Sequence, residues 1–252
     1  MIDYHIHSTY SIDGLSPLHL YVGTAQRFCL GEIGFAEHVD LNPCLGGYKF
    51  LDYGSYAASV EKLRIDAPLQ IRCGLEVSYE SHLESSIKNF IEDAKCDFVI
   101  GSIHEINNIT MDSTFLKQSN PLDYFREVER LITSSTFDIV GHLEYFKRWG
   151  GLYSPSEFRK GISGVLHLII DHDIALEVNT SGLRHPIQDT YPSFEVIQWY
   201  RELGGELISL GSDAHSVKDM AFQFTPVIKK LKSHGFDTVA TFNRRSLELV
   251  EL

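Results

Sequence analysis

Seven short apolar, β-branched runs recur along the 252-residue chain and restrict its fold more than any other feature. They are Ile2 to His7, Glu32 to His38, Leu69 to Val77, Asp97 to His104, Phe137 to Glu144, Ile174 to Thr180 and Glu206 to His215. A polar loop and an amphipathic stretch of helical period separate each run from the next. Such alternation argues for parallel strands linked by helices. Seven strands are one fewer than the usual barrel holds, so a distorted or incomplete barrel competes with an open doubly wound sheet. The polar residues bear on the choice. In a (β/α) barrel the functional side chains project from the C-terminal ends of the strands. Six of the seven runs end in a His, Glu or Asp able to bind metal: His5 and His7, His38, Glu76, His104, His142, then Asp213 and His215. One rim can collect them all.

Helix signals lie between the runs. Leu83, Ile87, Phe90, Ile91 and Ala94 fall on one face at a 3.6-residue period, as do Leu122, Phe125, Val128 and Ile132. Asn120-Pro121 reads as an N-cap with proline at the first helical position, and Ser154-Pro155-Ser156-Glu157 as a capping box. From Val217 onward the pattern suggests a helix, a short run from Phe236 to Phe242 and a terminal helical turn. No linker, low-complexity tract or internal repeat divides the sequence, so residues 1–252 read as a single domain.

Charge narrows the partners. With 22 Lys+Arg against 34 Asp+Glu the net charge is −12, a field that repels DNA and anionic membranes and leaves any anionic substrate to be captured locally. No window approaches the roughly 18 uncharged apolar residues of a transmembrane helix. The N-terminal Met-Ile-Asp-Tyr-His-Ile-His lacks the basic and apolar regions of a signal peptide, so the cytoplasm is the expected location. Cys29, Cys44, Cys73 and Cys96 form no C-x-x-C pair and are expected to be reduced, mostly buried thiols.

The histidines carry the chemistry. His5 and His7, spaced i, i+2 on a strand, leave the same face about 7 Å apart at Cα, close enough for two imidazoles to share a cation. Alone, H-x-H more often marks two unrelated histidines. Asp213-Ala214-His215 repeats the spacing at the other end of the chain, on the expected face of the last strand. Glu76 ends an apolar run, where a carboxylate is costly unless paired or metal-bound; its plain alternative is a salt bridge to a residue such as Arg72. His104 and His142 each follow a near-continuous hydrophobic strand and singly are as consistent with the core as with a metal. Asp13 sits in Ser11-Ile12-Asp13-Gly14, which also suits an Asx-turn. His38 is a better ligand than Glu37, which suits a supporting or capping role. His19, His82, His167, His172 and His234 are expected at the surface. Beyond the strands lie Lys147-Arg148, Arg184 and His185; an arginine there can grip phosphate with a bidentate fork.

As an ordered set, His5-x-His7, Asp13, Glu37-His38, Gly74-Leu75-Glu76, Gly101-Ser102-Ile103-His104, Gly141-His142 and Ser212-Asp213-Ala214-His215 resemble the motifs of the PHP (polymerase and histidinol phosphatase) superfamily. Phe35-Ala36-Glu37-His38, the Gly101 to His104 motif and Glu177 to Arg184 resemble its monofunctional histidinol-phosphate phosphatase branch most. The resemblance spans His5 to His215. It implies a distorted (β/α)7 TIM-like barrel holding three divalent cations, zinc, manganese or iron. By motif position His5, His7, Glu76 and Asp213 hold one cation, Glu76, His104 and His142 a second, and Asp13, His38 and His215 the third. Glu76 bridges the first two. Glu144 departs from the branch, where aspartate is usual, and Gly-His-x-Glu is also similar to the bacterial PHP protein-tyrosine phosphatases. The implied reaction is hydrolysis of L-histidinol phosphate in histidine biosynthesis. Water activated between two cations attacks phosphorus in line, and Arg184 and Arg148 clamp the phosphate. His185 is one candidate acid for the leaving alcohol. Two other readings stay open: a PHP phosphoesterase acting on phosphotyrosyl protein or oligonucleotide, and a non-catalytic metal-binding module. No Lys/Arg track supports a nucleic-acid partner.

Overall fold

In the computed structural model, which describes residues 1–106, 109–150 and 153–252, the seven runs form seven parallel strands. These are β1 (Ile2–Ile6), β2 (Glu32–Val39), β3 (Gln70–Ser78), β4 (Phe98–Ser102), β5 (Ile139–Val140), β6 (Ala175–Asn179) and β7 (Ile208–Gly211). One helix of nine residues or more follows each strand: α1 (Leu18–Arg27), α2 (Tyr53–Arg64), α3 (Glu84–Ala94), α4 (Pro121–Thr133), α5 (Arg159–Asp171), α6 (Phe194–Glu202) and α7 (Phe224–Ser233), with a further four-residue helix, Phe115–Gln118, after β4. The strands pair in strict chain order with no reversal, which excludes a doubly wound sheet. The two edges then meet. Ile6 bridges Ala214, the His7 N–H donates to the Ala214 carbonyl at 2.9 Å, and the Ala214 N–H donates to the His5 carbonyl at 3.2 Å. This seam carries a short bridge instead of a full ladder, so the barrel is nearly closed and distorted there.

Several local expectations hold and several fail. Ile87, Ile91 and Ala94 are buried on α3; on α4 Phe125, Val128 and Ile132 are buried and Asn120 Oδ1 accepts from the Leu122 N–H at 2.9 Å. The Ser154 capping box does not form, because Pro155–Phe158 is a 3-10 turn and the Ser154 hydroxyl meets Ser156 instead. Cys73 and Cys96 are buried but Cys29 and Cys44 are exposed. His19, His82, His167 and His172 are exposed, and His234 is half-buried against Phe194. Beyond α7 the chain ends in an antiparallel hairpin of β8 (Thr238–Asn243) and β9 (Ser246–Glu251), where a helical turn was expected. The β9 side chains are almost all exposed, so the segment has no apolar face for a helix to bury.

The apolar runs also outlast the strands. β5 is only two residues long although its run extends to Glu144, because Ile103 and Leu143 remain buried in the loops beyond the ladder. Hydrophobicity there reports burial, not strand pairing.

Small residues on β2 and β3 make room for one large ring. A Cβ on Gly74 would lie 2.2 Å from the Phe98 ring, and one on Gly34 would lie 2.7 Å from it. Phe98 in turn packs on Tyr4 at 4.7 Å between centroids, and Tyr4 meets Phe242 of the terminal hairpin. The Tyr4 hydroxyl takes the Phe242 N–H at 3.0 Å and bonds the Glu32 carboxylate. The hairpin therefore plugs the barrel floor. Replacing Gly74 by alanine is expected to cost about 1–3 kcal/mol of stability by overpacking against Phe98. Thermal or urea melts measure it, and an unchanged midpoint would refute the close fit.

Candidate metal centre

At the C-terminal ends of the strands the structure gathers every residue expected to bind metal. Asp13, His38, Glu76, His104, His142, Asp213 and His215, with Arg148, Arg184 and His185, line a cavity of about 470 Å³, and His5 and His7 lie fully buried against Glu76. The loops contribute as much as the strands. His7, His104 and His142 sit one or two residues past their ladders. Asp213 and His215 are not on the face of β7, which stops at Gly211; Asp213 is left-handed at φ 51°. In that turn Asp213 Oδ1 and His215 Nδ1 lie 3.5 Å apart.

Three groups of ligand atoms result. His5 Nε2 and His7 Nε2 lie 3.3 and 3.5 Å from Glu76 Oε2, and 3.9 and 3.5 Å from Asp213 Oδ1. Four atoms bound tetrahedrally about 2.0–2.1 Å from one cation stand about 3.3–3.4 Å apart, so this spacing fits a metal. On the other side Glu76 Oε1 is 2.7 Å from His142 Nε2 and 3.4 Å from His104 Nε2, and the two imidazole nitrogens are 3.2 Å apart. Asp13 is 3.5 Å from His38 and 3.1 Å from His215, and His38 Nδ1 reaches Glu76 Oε2 at 2.9 Å. Among the described residues His5 Nε2 and His7 Nε2 are buried without a hydrogen-bond partner. Unpartnered buried polar atoms cost about 1–3 kcal/mol each, and a divalent cation is the partner they fit.

Residues behind the ligands aim them. Glu177, mid-strand on β6, accepts at 2.6 Å from His5 Nδ1 with one oxygen and at 2.6 Å from the His142 backbone N–H with the other. With Nδ1 so held, His5 must present Nε2 to the site. Ser102 donates to Glu76 Oε1 at 2.7 Å, and His7 Nδ1 faces the Ser11 hydroxyl at 3.2 Å. Glu37 accepts from the Ser8 backbone and from the Ser8 and Ser11 hydroxyls, which fixes the loop carrying Asp13. Asp3 takes the Ser212 N–H and hydroxyl and the Ala221 N–H, holding the Asp213 turn from beneath. Sequence reasoning gave no role to Glu177 or Asp3, although each is a carboxylate inside an apolar run, the same anomaly that singled out Glu76. Arg72 does not pair with Glu76; it lies at the other end of β3 against Glu32, 2.7 Å away.

The charges of the cluster act on one another: although burial opposes it, Glu177 and Glu76 hold His5, and Glu76 and Asp13 hold His38, well above the ordinary imidazole range. Burial opposes ionisation of Glu76, yet the charges of His5, His104 and His38 hold its carboxyl well below the usual carboxylate range. Burial likewise opposes charge on Asp213, where His5, His7 and His215 prevail in the same direction. Burial, then the neighbouring His38 and His215, hold His7 well below its ordinary range, which leaves it neutral, the form a metal ligand requires.

The basic groups differ from one another. Arg184 turns its guanidinium onto the Ser212 and Asp213 carbonyls, 2.9 Å each, so both its Nη atoms brace the Asp213 turn. Arg148 lies over the Tyr145 ring, bonds its hydroxyl, and meets His185 Nε2 at 3.0 Å; its buried Nε has no partner among the described residues. Burial and then the Arg148 and Arg184 charges push His185 down to about 4. Its Nε2 therefore accepts from Arg148. Glu144 and Lys147 are buried together 3.0 Å apart, with Glu144 also holding the Tyr153 hydroxyl and the Ser193 N–H.

The PHP domain profile matches residues 3–181, most of the chain and most of the ligand set. The chain belongs to the PHP domain family. Within the PHP family it is 29% identical over 261 residues to a histidinol-phosphatase of Lactococcus lactis subsp. lactis, covering 98% of this chain and 96% of that protein. The crystal structure of a histidinol phosphate phosphatase from the same organism, complexed with zinc, L-histidinol and phosphate, superposes with a TM-score of 0.88 at 27% identity over 98% of both chains. Metal-dependent tyrosine phosphatases from Bacillus subtilis and Streptococcus pneumoniae share the PHP fold at a TM-score of 0.53 and 15% identity, covering 92% of this chain and 87% of that one. Among the described residues no helix is long and apolar enough to cross a membrane.

Proposed function

We propose that this PHP protein is a divalent-metal-dependent phosphomonoesterase that hydrolyses L-histidinol phosphate to L-histidinol and phosphate in histidine biosynthesis. The full-length likeness to the Lactococcus structure holding zinc, L-histidinol and phosphate carries the choice of substrate. Three cations, with zinc favoured over manganese or iron, are assigned to His5, His7, Glu76 and Asp213, to Glu76, His104 and His142, and to Asp13, His38 and His215. Bound there, divalent cations lower the pKa of water and neutralise charge on the phosphoryl group. Residues 1–252 act as one catalytic domain.

The protein groups then divide the remaining work. Glu76 bridges between ligand groups, and Asp213 completes the first of them. Arg148, steadied by Tyr145 and His185, is the phosphate clamp. Arg184 supports the reaction mainly by holding the Asp213 turn, a change from the direct clamp its position suggested. Arg148→Ala is expected to raise the KM about 10–100-fold with metal content intact, whereas Arg184→Ala should lower metal content as well. Elemental analysis beside steady-state kinetics separates the two, and equal metal loss in both variants would merge their roles.

His185 is assigned as an orienting acceptor and not as the acid for the leaving alcohol, since a group titrating near pH 4 is already neutral at physiological pH. In His185→Asn the limbs of the rate profile above pH 6 are therefore expected to stay in place. A lost alkaline limb would return the acid role to His185.

A phosphotyrosyl substrate finds no support in Gly141-His142-Leu143-Glu144, because Glu144 is fully buried in the Lys147, Tyr153 and Ser193 network and faces no substrate. None of the four cysteines lines the cavity, which agrees with hydrolysis without a covalent phosphoenzyme. The test is phosphate release by metal-replete protein from L-histidinol phosphate, a phosphotyrosyl peptide and a single-stranded oligonucleotide. Chelator-sensitive release from the first, at least a hundredfold above the others, is expected. Activity on either polymer without activity on L-histidinol phosphate would sink the assignment and leave the fold standing.

A further inference from the structure

A cavity of about 690 Å³ lies not at the metal-binding mouth but at the opposite pole, where the N-terminal ends of β2 and β3 meet the turn of the terminal hairpin. Gly31, Gln70, Arg72, Asp97, Asn243 and Arg244 are among its walls. In a chain of net charge −12 this concave surface carries three arginines, Arg64, Arg72 and Arg244, and a single carboxylate, Asp97. Asp97 is fully engaged: one oxygen accepts from the Arg244 N–H at 3.1 Å, and the other from the Cys73 N–H at 2.8 Å and from Arg64. Arg64 is occupied too, by Asp97, Glu61 and the Ile71 carbonyl. The other two arginines are not. Arg72 bonds Glu32 through Nε, with no hydrogen bond from its Nη groups among the described residues. Arg244 bonds only through its backbone, and its guanidinium has none.

The backbone makes Arg244 more telling. Arg244 and Arg245 are left-handed at φ 51° and 66°, forming the two-residue turn between the paired Asn243 and Ser246. Such turns favour Asn and Gly, and a larger side chain is strained there. At Arg245 the side chain accounts for the strain, because it pairs with Asp138 and donates to the Thr136 carbonyl at 2.7 Å. At Arg244 the backbone N–H is tied to Asp97, but among the described residues no side-chain contact engages its guanidinium. Arg244 and Arg72 line the same cavity, and planar guanidinium donors fit phosphate and carboxylate oxygens.

We propose that this basal cavity binds a small anion carrying a phosphate or carboxylate group through Arg72 and Arg244, independently of the metal centre and of the substrate assigned above. The volume suits a ligand up to the size of a mononucleotide. The metal-loaded protein is titrated with inorganic phosphate, AMP and succinate while backbone amide and arginine Nε–H resonances are followed by NMR. Saturable shifts at Gly31, Arg72, Asn243 and Arg244 are expected. Arg244→Gly removes the fork while keeping the turn's left-handed backbone, so it should weaken binding at least tenfold with turnover of L-histidinol phosphate unchanged. Response to phosphate and AMP alone assigns a phosphate site, and response to succinate as well assigns the shared anion chemistry. Shifts confined to the mouth, or the same isotherm in Arg244→Gly, overturn the proposal. Turnover in these variants reports on the metal centre separately, so failure of one reading does not imply failure of the other.

Discussion

Glu76→Gln is expected to lower phosphate release from L-histidinol phosphate by about a thousandfold or more. Glu76 faces His104 and His142 with one oxygen and His5, His7 and His38 with the other, so it joins two of the three ligand groups and touches His38 of the third. An amide keeps the size and shape but loses the charge and one of the two acceptor oxygens. Lewis-acid stabilisation of a phosphoryl transition state is worth several kcal/mol, and each ~1.4 kcal/mol is tenfold in rate. Losing cation binding at a shared bridge therefore removes at least three orders of magnitude. The fold should persist, because Glu76 sits among polar groups and Ser102 can still donate to the amide oxygen. Circular dichroism and elemental analysis accompany the kinetics. A variant that keeps its full metal complement and a tenth of the turnover would show that Glu76 does not bridge.

Glu177→Ala is the second large effect, and it differs in kind. Glu177 touches no solvent; it joins His5 Nδ1 to the His142 backbone N–H across three strands. Gly211 leaves room for it, since a Cβ there would lie 2.4 Å from Glu177 Oε1. Truncation leaves a buried imidazole nitrogen and a buried amide without partners, at about 1–3 kcal/mol each. It also frees His5 to rotate. Partners that orient a ligating histidine typically contribute 10–100-fold in metal affinity or activity, and the same loss is expected here. Because the ligands themselves remain, excess metal should restore much of the activity, unlike in Glu76→Gln. Failure of metal to rescue a folded Glu177→Ala protein would mean that Glu177 does more than position His5.

All the candidate ligands but Asp13, which sits in a loop, were legible because each stands at the end of an apolar run, where an imidazole or carboxylate is out of character. That clue needs no knowledge of the third dimension. The supporting contacts were hidden because they join residues far apart in sequence: Glu177 meets His5 across 172 positions, and Asp3 meets Ser212 across 209. No local pattern spells such a pair. Arg184 shows a different limit. Its position beyond β6 was informative, but whether its fork faces a phosphate or the Ser212 and Asp213 carbonyls depends on the turn at Asp213, which an i, i+2 spacing on a presumed strand had concealed. The terminal hairpin went unread for a third reason: β9 is an exposed edge with little burial to write a period into its sequence.

The seam between β1 and the Ala214 segment bears on when the protein becomes complete. Ribosomes make β1 first, and His5 and His7 then wait while nearly the whole chain is added. Two imidazoles on an unfinished strand are a poor chelate, and the Asp213 turn that completes the set cannot form until Asp3 and Arg184 can both grip it. The two proposed cation sites that include Asp213 or His215 can therefore be completed only after synthesis has passed residue 215 and the barrel has shut, whereas the Glu76, His104 and His142 group is present earlier.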